Sequence, residues 1–345
     1  MLLLNKNNYL NIVKVWLFVS ILLVISMIVI GGLTRLTDSG LSITQWQLFS
    51  GIFPPFSNSE WNYYFSLYKK IPQYKLLNFN ITLNEFKIIF YWEYFHRLMG
   101  RLIGLFFILP LLFFSLKKIF KKSLLIHLYF IFLLISLQGF IGWFMVSSGL
   151  TENVTVSHYR LSLHLLMAFI ILSNLIWIYF NIKYNQNINF FTSKNQSNLI
   201  LIFVLFIFIQ IILGAFVSGL DAGKLYQTWP KMNNSYFPDD FIIKNLGNFF
   251  NFSNASLVQF YHRITAYLIF IFFLILGTNI LFRKKIYLYK SYFIVFIFLI
   301  FQIFLGIITL ISGLNIYLAS LHQIGSIFLL ISSLSLYNNE LAHKI

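Results

Sequence analysis

Cysteine is absent from this 345-residue chain, which excludes disulfides, thiolate metal sites and iron–sulfur clusters. Charge is scarce too: only 10% of the residues are Asp, Glu, Lys or Arg, and just nine are acidic. A soluble domain carries about 25% charged residues, so this chain cannot cover a globular surface with water-seeking groups. What it has instead is apolar length, with 59% hydrophobic residues. Runs near or above the roughly 18–20 residues that cross a bilayer recur eight times, at about 13–34, 86–115, 124–147, 158–182, 197–219, 257–282, 289–312 and 317–337. Only helices and closed barrels satisfy their backbone in lipid, and these runs lack barrel alternation. The expectation is an all-α polytopic membrane protein with eight transmembrane helices.

The net charge of +16 could suggest a nucleic-acid partner, but its distribution argues for a membrane. The turn after run two carries Lys117, Lys118, Lys121 and Lys122, and the turn after run six carries Arg283, Lys284, Lys285 and Lys290. With Lys6, Lys14, Lys183, Lys194 and Lys344, one side holds thirteen basic residues and a single acid, Glu340. The opposite loops hold Asp38, Glu60, Glu85, Glu152, Asp221, Asp239 and Asp240 against seven basic residues. By the positive-inside rule both termini are cytoplasmic, the long loops face outward, and no nucleic acid is bound. The first run is too long for a signal-peptide core and lacks a small-residue cleavage site, and too few basic residues precede it for a transit peptide. It reads as a retained helix.

The chain repeats itself. Gly31, Asp38, Gly40 and Trp46 at the end of run one share offsets 0, 7, 9 and 15 with Gly214, Asp221, Gly223 and Trp229 at the end of run five. Both helices are expected to leave the membrane through similar turns, Gly allowing positive φ and Asp bonding to local backbone. Gln138, Gly142 and Ser148-Gly149 of run three recur as Gln302, Gly306 and Ser312-Gly313 of run seven. Four helices per half keep the two halves in one orientation, related by an axis along the membrane normal. The expectation is two tandem, pseudo-twofold-related four-helix bundles: residues 1–182, a polar cytoplasmic linker over 183–197, and residues 198–345. The long outer loop over 35–85 contains Pro54-Pro55 and a short helix from Ser59, and Thr82-Leu83-Asn84-Glu85 reads as a capping box that starts helix two in the interface. Its counterpart at about 220–256 is polar and Asn-rich; outer loops of this length cover something.

Four of the seven histidines, His96, His164, His262 and His322, lie in the first few turns of the even-numbered helices, all of which enter from the outside. They therefore share a depth in the outer half, a pair for each half. Ionisable groups at such depth mark functional sites, and paired imidazoles from facing helices suit axial ligation of haem iron. One such histidine alone would read as a buried, hydrogen-bonded side chain. Four in related positions, with no cysteine or carboxylate cluster for another metal, point to haem. A mononuclear zinc or iron site lacks a matching carboxylate in the second half. His127 and His343 have no evident partner, and His158 lies about 120° off the face of His164, suiting a solvated role.

Arginine supports the same reading. Arg160 precedes His164 by four residues, on the same face, placed either for a haem propionate or for an interhelical hydrogen bond. Arg97 and Arg263 follow their histidines directly and reach propionates or backbone carbonyls, whereas Arg101 lies deeper with no nameable partner. Glu93 shares a face with His96, and its repeat counterpart is Gln259, which cannot ionise. A cofactor that only carries electrons needs no proton acceptor, whereas oxidation at carbon does. The first half is thereby assigned chemistry, with Glu93 catalytic, and the second half electron transfer. The plainer reading of Glu93 is an ion pair with Arg97 one turn on. Gly100 and Gly104 form a small-xxx-small step suited to close helix packing.

Taken together, Gly31-Gly32-Leu33-Thr34-Arg35-Leu36-Thr37-Asp38-Ser39-Gly40-Leu41-Ser42, Pro54-Pro55, Glu93-Tyr94-Phe95-His96-Arg97-Leu98-Met99-Gly100-Arg101, His164-Leu165, Gly219-Leu220-Asp221-Ala222-Gly223, His262-Arg263 and His322-Gln323 resemble haem A synthase of the CtaA type. The resemblance covers essentially the whole chain. It implies conversion of haem O to haem A through oxidation of one porphyrin methyl to a formyl group. His96 and His164 are then implied for the substrate haem, His262 and His322 for a bound haem b, and Glu93 as the acid beside the first ligand. The lack of cysteine resembles the cysteine-free proteobacterial and mitochondrial branch. Implied partners are haem O synthase, cytochrome oxidase assembly factors and an electron donor that the sequence does not identify. The setting implied is a bacterial inner membrane, and a homo-oligomer is compatible with it. The contending readings are a non-enzymatic di-haem cytochrome b relay subunit and a haem carrier.

Overall fold

A computed structural model describes residues 9–46, 50–151, 153–191, 198–240 and 246–343. Lys6, Glu152, Lys194 and Lys344, used above to orient the chain, and the 192–197 part of the expected linker fall outside these residues. Where a segment is apolar for twenty residues, only internal N–H to C=O bonding satisfies its backbone in lipid, and helix is the outcome. The helices are α1 (Leu10–Leu36), α2 (Asn58–Tyr68), α3 (Pro72–Leu76), α4 (Leu83–Leu116), α5 (Lys122–Ser147), α6 (His158–Lys183), α7 (Asn198–Gly219), α8 (Ala255–Phe282), α9 (Tyr289–Ile311) and α10 (Ile316–Ala342). Eight of them, all but α2 and α3, are long and apolar enough to cross a membrane. Among the described residues the only extended pairing is an isolated bridge between Met232 and Ser235.

The expected spans match these helices closely, except that α10 continues five residues past the expected 337. Asn338, Asn339 and Glu340 read as the end of an apolar run, but their partners keep them in the helix. Glu340 is fully buried and pairs with Lys285 at 2.7 Å, while Tyr287 donates to its other oxygen at 2.6 Å. Asn339 donates to Ser291 at 2.6 Å.

Contacts divide the chain into two compact units, Leu2–Leu175 and Ile176–Ile345, with the division inside α6. In the first, α4 packs along α1 and against α5. In the second, α7 packs on α8 and α10, and α9 on α10 and α8, closing a ring of four.

The segment joining α1 to α4 is built, not loose. Ser57 and Glu60 form a capping box that starts α2, one residue ahead of the expected start, and Thr82 and Glu85 form the expected one that starts α4. At 34 residues and 1.5 Å each, α4 is about 51 Å long, well beyond an apolar thickness of about 30 Å. Its excess carries Phe86, Phe90 and Tyr94 into a cluster with Leu41, Trp61, Phe65, Tyr68 and Ile71. Stacking of Phe65 on Phe86, with centroids 5.0 Å apart, seats α2 against α4. The segment joining α7 to α8 is pinned through Asp240, which accepts from the Tyr226 and Ser256 hydroxyls at 2.5 Å each.

Candidate functional site

Glycine decides where the four histidines sit. Each imidazole presses its Cε1 edge against a glycine of another helix, so closely that a Cβ there would meet it. That separation would be 2.9 Å for Gly31 and His96, 3.0 Å for Gly142 and His164, 3.2 Å for Gly214 and His262, and 2.9 Å for Gly306 and His322. Gly31 and Gly214 therefore serve as seats inside α1 and α7 and not as the expected turn glycines. The positive φ falls instead on Asp38 and Asp221, each at 50°. Their carboxylates pair with Arg35 at 2.8 Å and Lys224 at 3.5 Å, where local backbone had been expected.

In the first unit the seats bring His96 and His164 together, with ring centroids 6.4 Å apart and planes at 56°. In the second unit Gly214 and Gly306 seat His262 and His322 in the same way. The Nδ1 atoms of all four rings are buried without a hydrogen-bond partner. An orphaned buried polar atom costs about 1–3 kcal/mol, and four at repeated positions ask for a ligand. Imidazole nitrogen binds a metal at about 2 Å, so two rings on opposite sides of one metal have centroids roughly 6 Å apart. The His96–His164 pair fits that spacing. Among the described residues no group of three or more His, Cys, Asp or Glu side chains could hold a metal ion. Two imidazoles suit a metal that brings its own equatorial donors, as the iron of a porphyrin does.

Three of the seats carry a further contact that sequence reasoning missed. The amides of Gln138, Gln210 and Gln302 donate to the backbone carbonyls of His164, His262 and His322 at 3.0, 2.9 and 2.9 Å. A signal was available, because each glutamine stands four residues before its seat glycine, one turn along the same face.

Glu93 is buried and fully engaged. Its Oε2 accepts from the Ser42 hydroxyl at 2.7 Å and the Ile43 N–H at 2.9 Å, and its Oε1 from Arg97 at 2.6 Å. Arg97 also donates to the Ile43 carbonyl at 2.9 Å, so acid and base together strap the loop after α1 onto α4. The second unit repeats the strap with reversed polarity: Gln259 donates to the Tyr226 carbonyl at 2.9 Å, and Arg263 donates to it at 2.7 Å. Arg263 further donates to Thr228 at 2.9 Å, and its Nε is buried without a partner. Arg160 donates to the Phe144 carbonyl at 2.6 Å, with its guanidinium 3.7 Å from the Phe144 ring centre. Arg101, which had no nameable partner, donates to the Gly51 carbonyl at 3.0 Å. Beside it a small cleft is lined by Arg97, Arg101, Tyr94, Phe53 and Gly51 among others.

Several bland assignments change. His127 meets Asn174 at 3.0 Å, and His343 stacks on Tyr287 with centroids 3.6 Å apart, so both have the partners the sequence did not reveal. His158 lies against Tyr159, with ring centroids 4.1 Å apart and planes tilted by 39°. Gly100 meets the tip of Met27 on α1, whereas a Cβ at Gly104 would have nothing within 4 Å, so of the expected small-residue step only Gly100 faces a neighbouring helix.

Residues 14–334 match the family described as cytochrome oxidase assembly protein. The chain is 52% identical to the haem A synthase of Pelagibacter ubique (strain HTCC1062) over 342 residues, covering 97% of this chain and 99% of that protein. It is 41% identical to the haem A synthase of Rickettsia felis over 327 residues, covering 93% and 95% respectively. Against that of Rickettsia bellii (strain OSU 85-389) identity is 42% over 319 residues, covering 91% and 94%.

Proposed function

The chain belongs to the cytochrome oxidase assembly protein family, and from that premise we propose that it is a haem A synthase. It is a multi-pass membrane oxidoreductase that converts a methyl group of haem O to a formyl group, giving haem A for terminal oxidase assembly. The observation that carries this reading is the His96–His164 pair, two imidazoles at haem-spanning distance whose Nδ1 atoms have no other partner. These two residues hold the substrate haem; His262 and His322 hold a resident haem b that passes electrons. The iron–porphyrin supplies the redox chemistry, and the chain supplies its placement.

Seat glycines fix how far each imidazole reaches, and so how His96 and His164 would hold a haem. Arg97, Arg160 and Arg263 stand at the outer ends of the even helices, where their guanidinium forks suit haem propionates. A guanidinium has five N–H groups, so a carbonyl contact leaves capacity for a carboxylate. Glu93 is the buried carboxylate beside the first pair, and its strap keeps water from the outer face of the site. The excess of Lys and Arg at the α4–α5 and α8–α9 turns supports cytoplasmic termini in a bacterial inner membrane.

Co-expression with a haem O source followed by haem chromatography tests this. The wild type should accumulate haem A. His96→Ala and His164→Ala should make none while keeping haem b, and His262→Ala should lose haem b. Haem b alone in the wild type would refute the enzyme and leave an electron relay.

A further inference from the structure

The four histidine seats are alike except in one contact. At three of them a glutamine on the glycine-bearing helix donates to the carbonyl of the seated histidine: Gln138 to His164, Gln210 to His262 and Gln302 to His322. A carbonyl inside a helix already accepts from the residue four positions on, so this second donor ties that turn to a neighbouring helix. On α1 the residue four before Gly31 is Met27. Methionine has no N–H to give. Its Cε turns instead toward Gly100, one turn past His96, 3.4 Å from where a Cβ would stand.

The two haems make different demands on their ligands. A resident cofactor stays through every turnover, whereas a substrate haem must be admitted as one molecule and released as another. Release breaks axial bonds, and the ligand least tied to its surroundings breaks away most readily. Outer-sphere contacts of this kind change metal affinity by about 10- to 100-fold.

We propose that Gln138, Gln210 and Gln302 are positioning residues that fix their histidines as lasting ligands, and that Met27 marks His96 as the exchangeable one. His96 is the imidazole that lets go of iron when haem O enters and haem A leaves, while His164 keeps its hold. This rests on the assignment of the two imidazole pairs to haem made above.

Two variants of the full-length protein test it. The first is Gln302→Met in a His96→Ala/His164→Ala background, where only the second unit's haem b contributes. A haem with both axial positions filled does not bind carbon monoxide, so the background protein should give almost no carbon monoxide difference spectrum when reduced. Gln302→Met should raise the reactive fraction at least tenfold and shift the midpoint potential. The second is Met27→Gln, which gives His96 the missing amide. Transfer of bound haem A to excess apomyoglobin should slow at least tenfold, with haem b content unchanged. A carbon monoxide-inert Gln302→Met at full haem b content, or wild-type release from Met27→Gln, overturns the inference and leaves the haem assignment intact. Should Gln302→Met lose its haem b, the release rate of Met27→Gln decides alone. Haem b retained by His262→Ala would overturn the haem assignment itself.

Discussion

Glu93→Gln is the perturbation that most directly weighs the strap against a proton-acceptor role. The Glu93 carboxylate is 3% exposed and receives three donors, two of them from the loop after α1: the Ser42 hydroxyl and the Ile43 N–H. A hydrogen bond to a charged group contributes about 1.5–3 kcal/mol and a neutral one about 0.5–1.5 kcal/mol. Removing the charge therefore weakens the loop anchorage by about 2–3 kcal/mol across the two bonds. At 1.4 kcal/mol per factor of ten, the Ile43 amide should exchange with solvent deuterium roughly 30- to 150-fold faster. Hydrogen-exchange mass spectrometry on peptides spanning 40–46 reads this directly, with peptides from α5 as the unchanged reference. Exchange at Ile43 within about threefold of the wild type would refute the strap. Haem A yields then assign the chemistry. Equal losses in Glu93→Gln and Arg97→Gln mean that the pair acts as one clamp; a loss confined to Glu93→Gln gives the carboxylate the proton.

Two further expectations follow from the same coordinates. Gly31→Ala places a methyl 2.9 Å from His96 and Gly306→Ala one 2.9 Å from His322; overpacking of this kind costs about 1–3 kcal/mol. Extracted pigments should show haem A depleted with haem b retained in the first variant and haem b depleted in the second, and identical pigments in both would sink the seat argument. The segment joining α7 to α8 should hold only within a pH window. Burial pushes the Asp240 carboxyl up, but donation from Ser256 and Tyr226 outweighs it and leaves it below its usual value of 3.8; burial and the bond to Asp240 raise the Tyr226 hydroxyl above 10. The Asp240 contribution is thus present above about pH 4 and lost as the pH falls through its lowered value, and the Tyr226 contribution is present below about pH 10 and lost as the pH rises through its raised value. Proteolysis of 220–254 should be slowest between those limits, and a Tyr226→Phe variant should lose the alkaline limit.

Much of the site could be read from the chain because membrane sequences are strongly constrained. Eight apolar runs had no alternative to helix, and the recurrence of His96, His164, His262 and His322 at matching depths singled out the same side chains the fold places against glycines. Gly31 and Gly214 show the limit. Their matching spacing to Asp38 and Asp221 goes with matching contacts, but a glycine in sequence does not say whether it frees a turn or admits a neighbour. Glu93 shows it again: adjacency to Arg97 announced the ion pair, while Ser42 and Ile43, fifty residues away, were unforeseeable as its other partners.

The sequence by itself determined the helical class, the number of spans and the choice of candidate ligands. These follow from local properties, since apolar length, charge placement and helical period are set by residues near one another in the chain. Only the tertiary structure decided which atoms each side chain meets: the glycine under each imidazole, the amide beside three of them, the carbonyls that take up the arginines, and the burial of Glu340. Such contacts depend on how helices lean on one another, and packing at that scale joins residues that no period or motif connects.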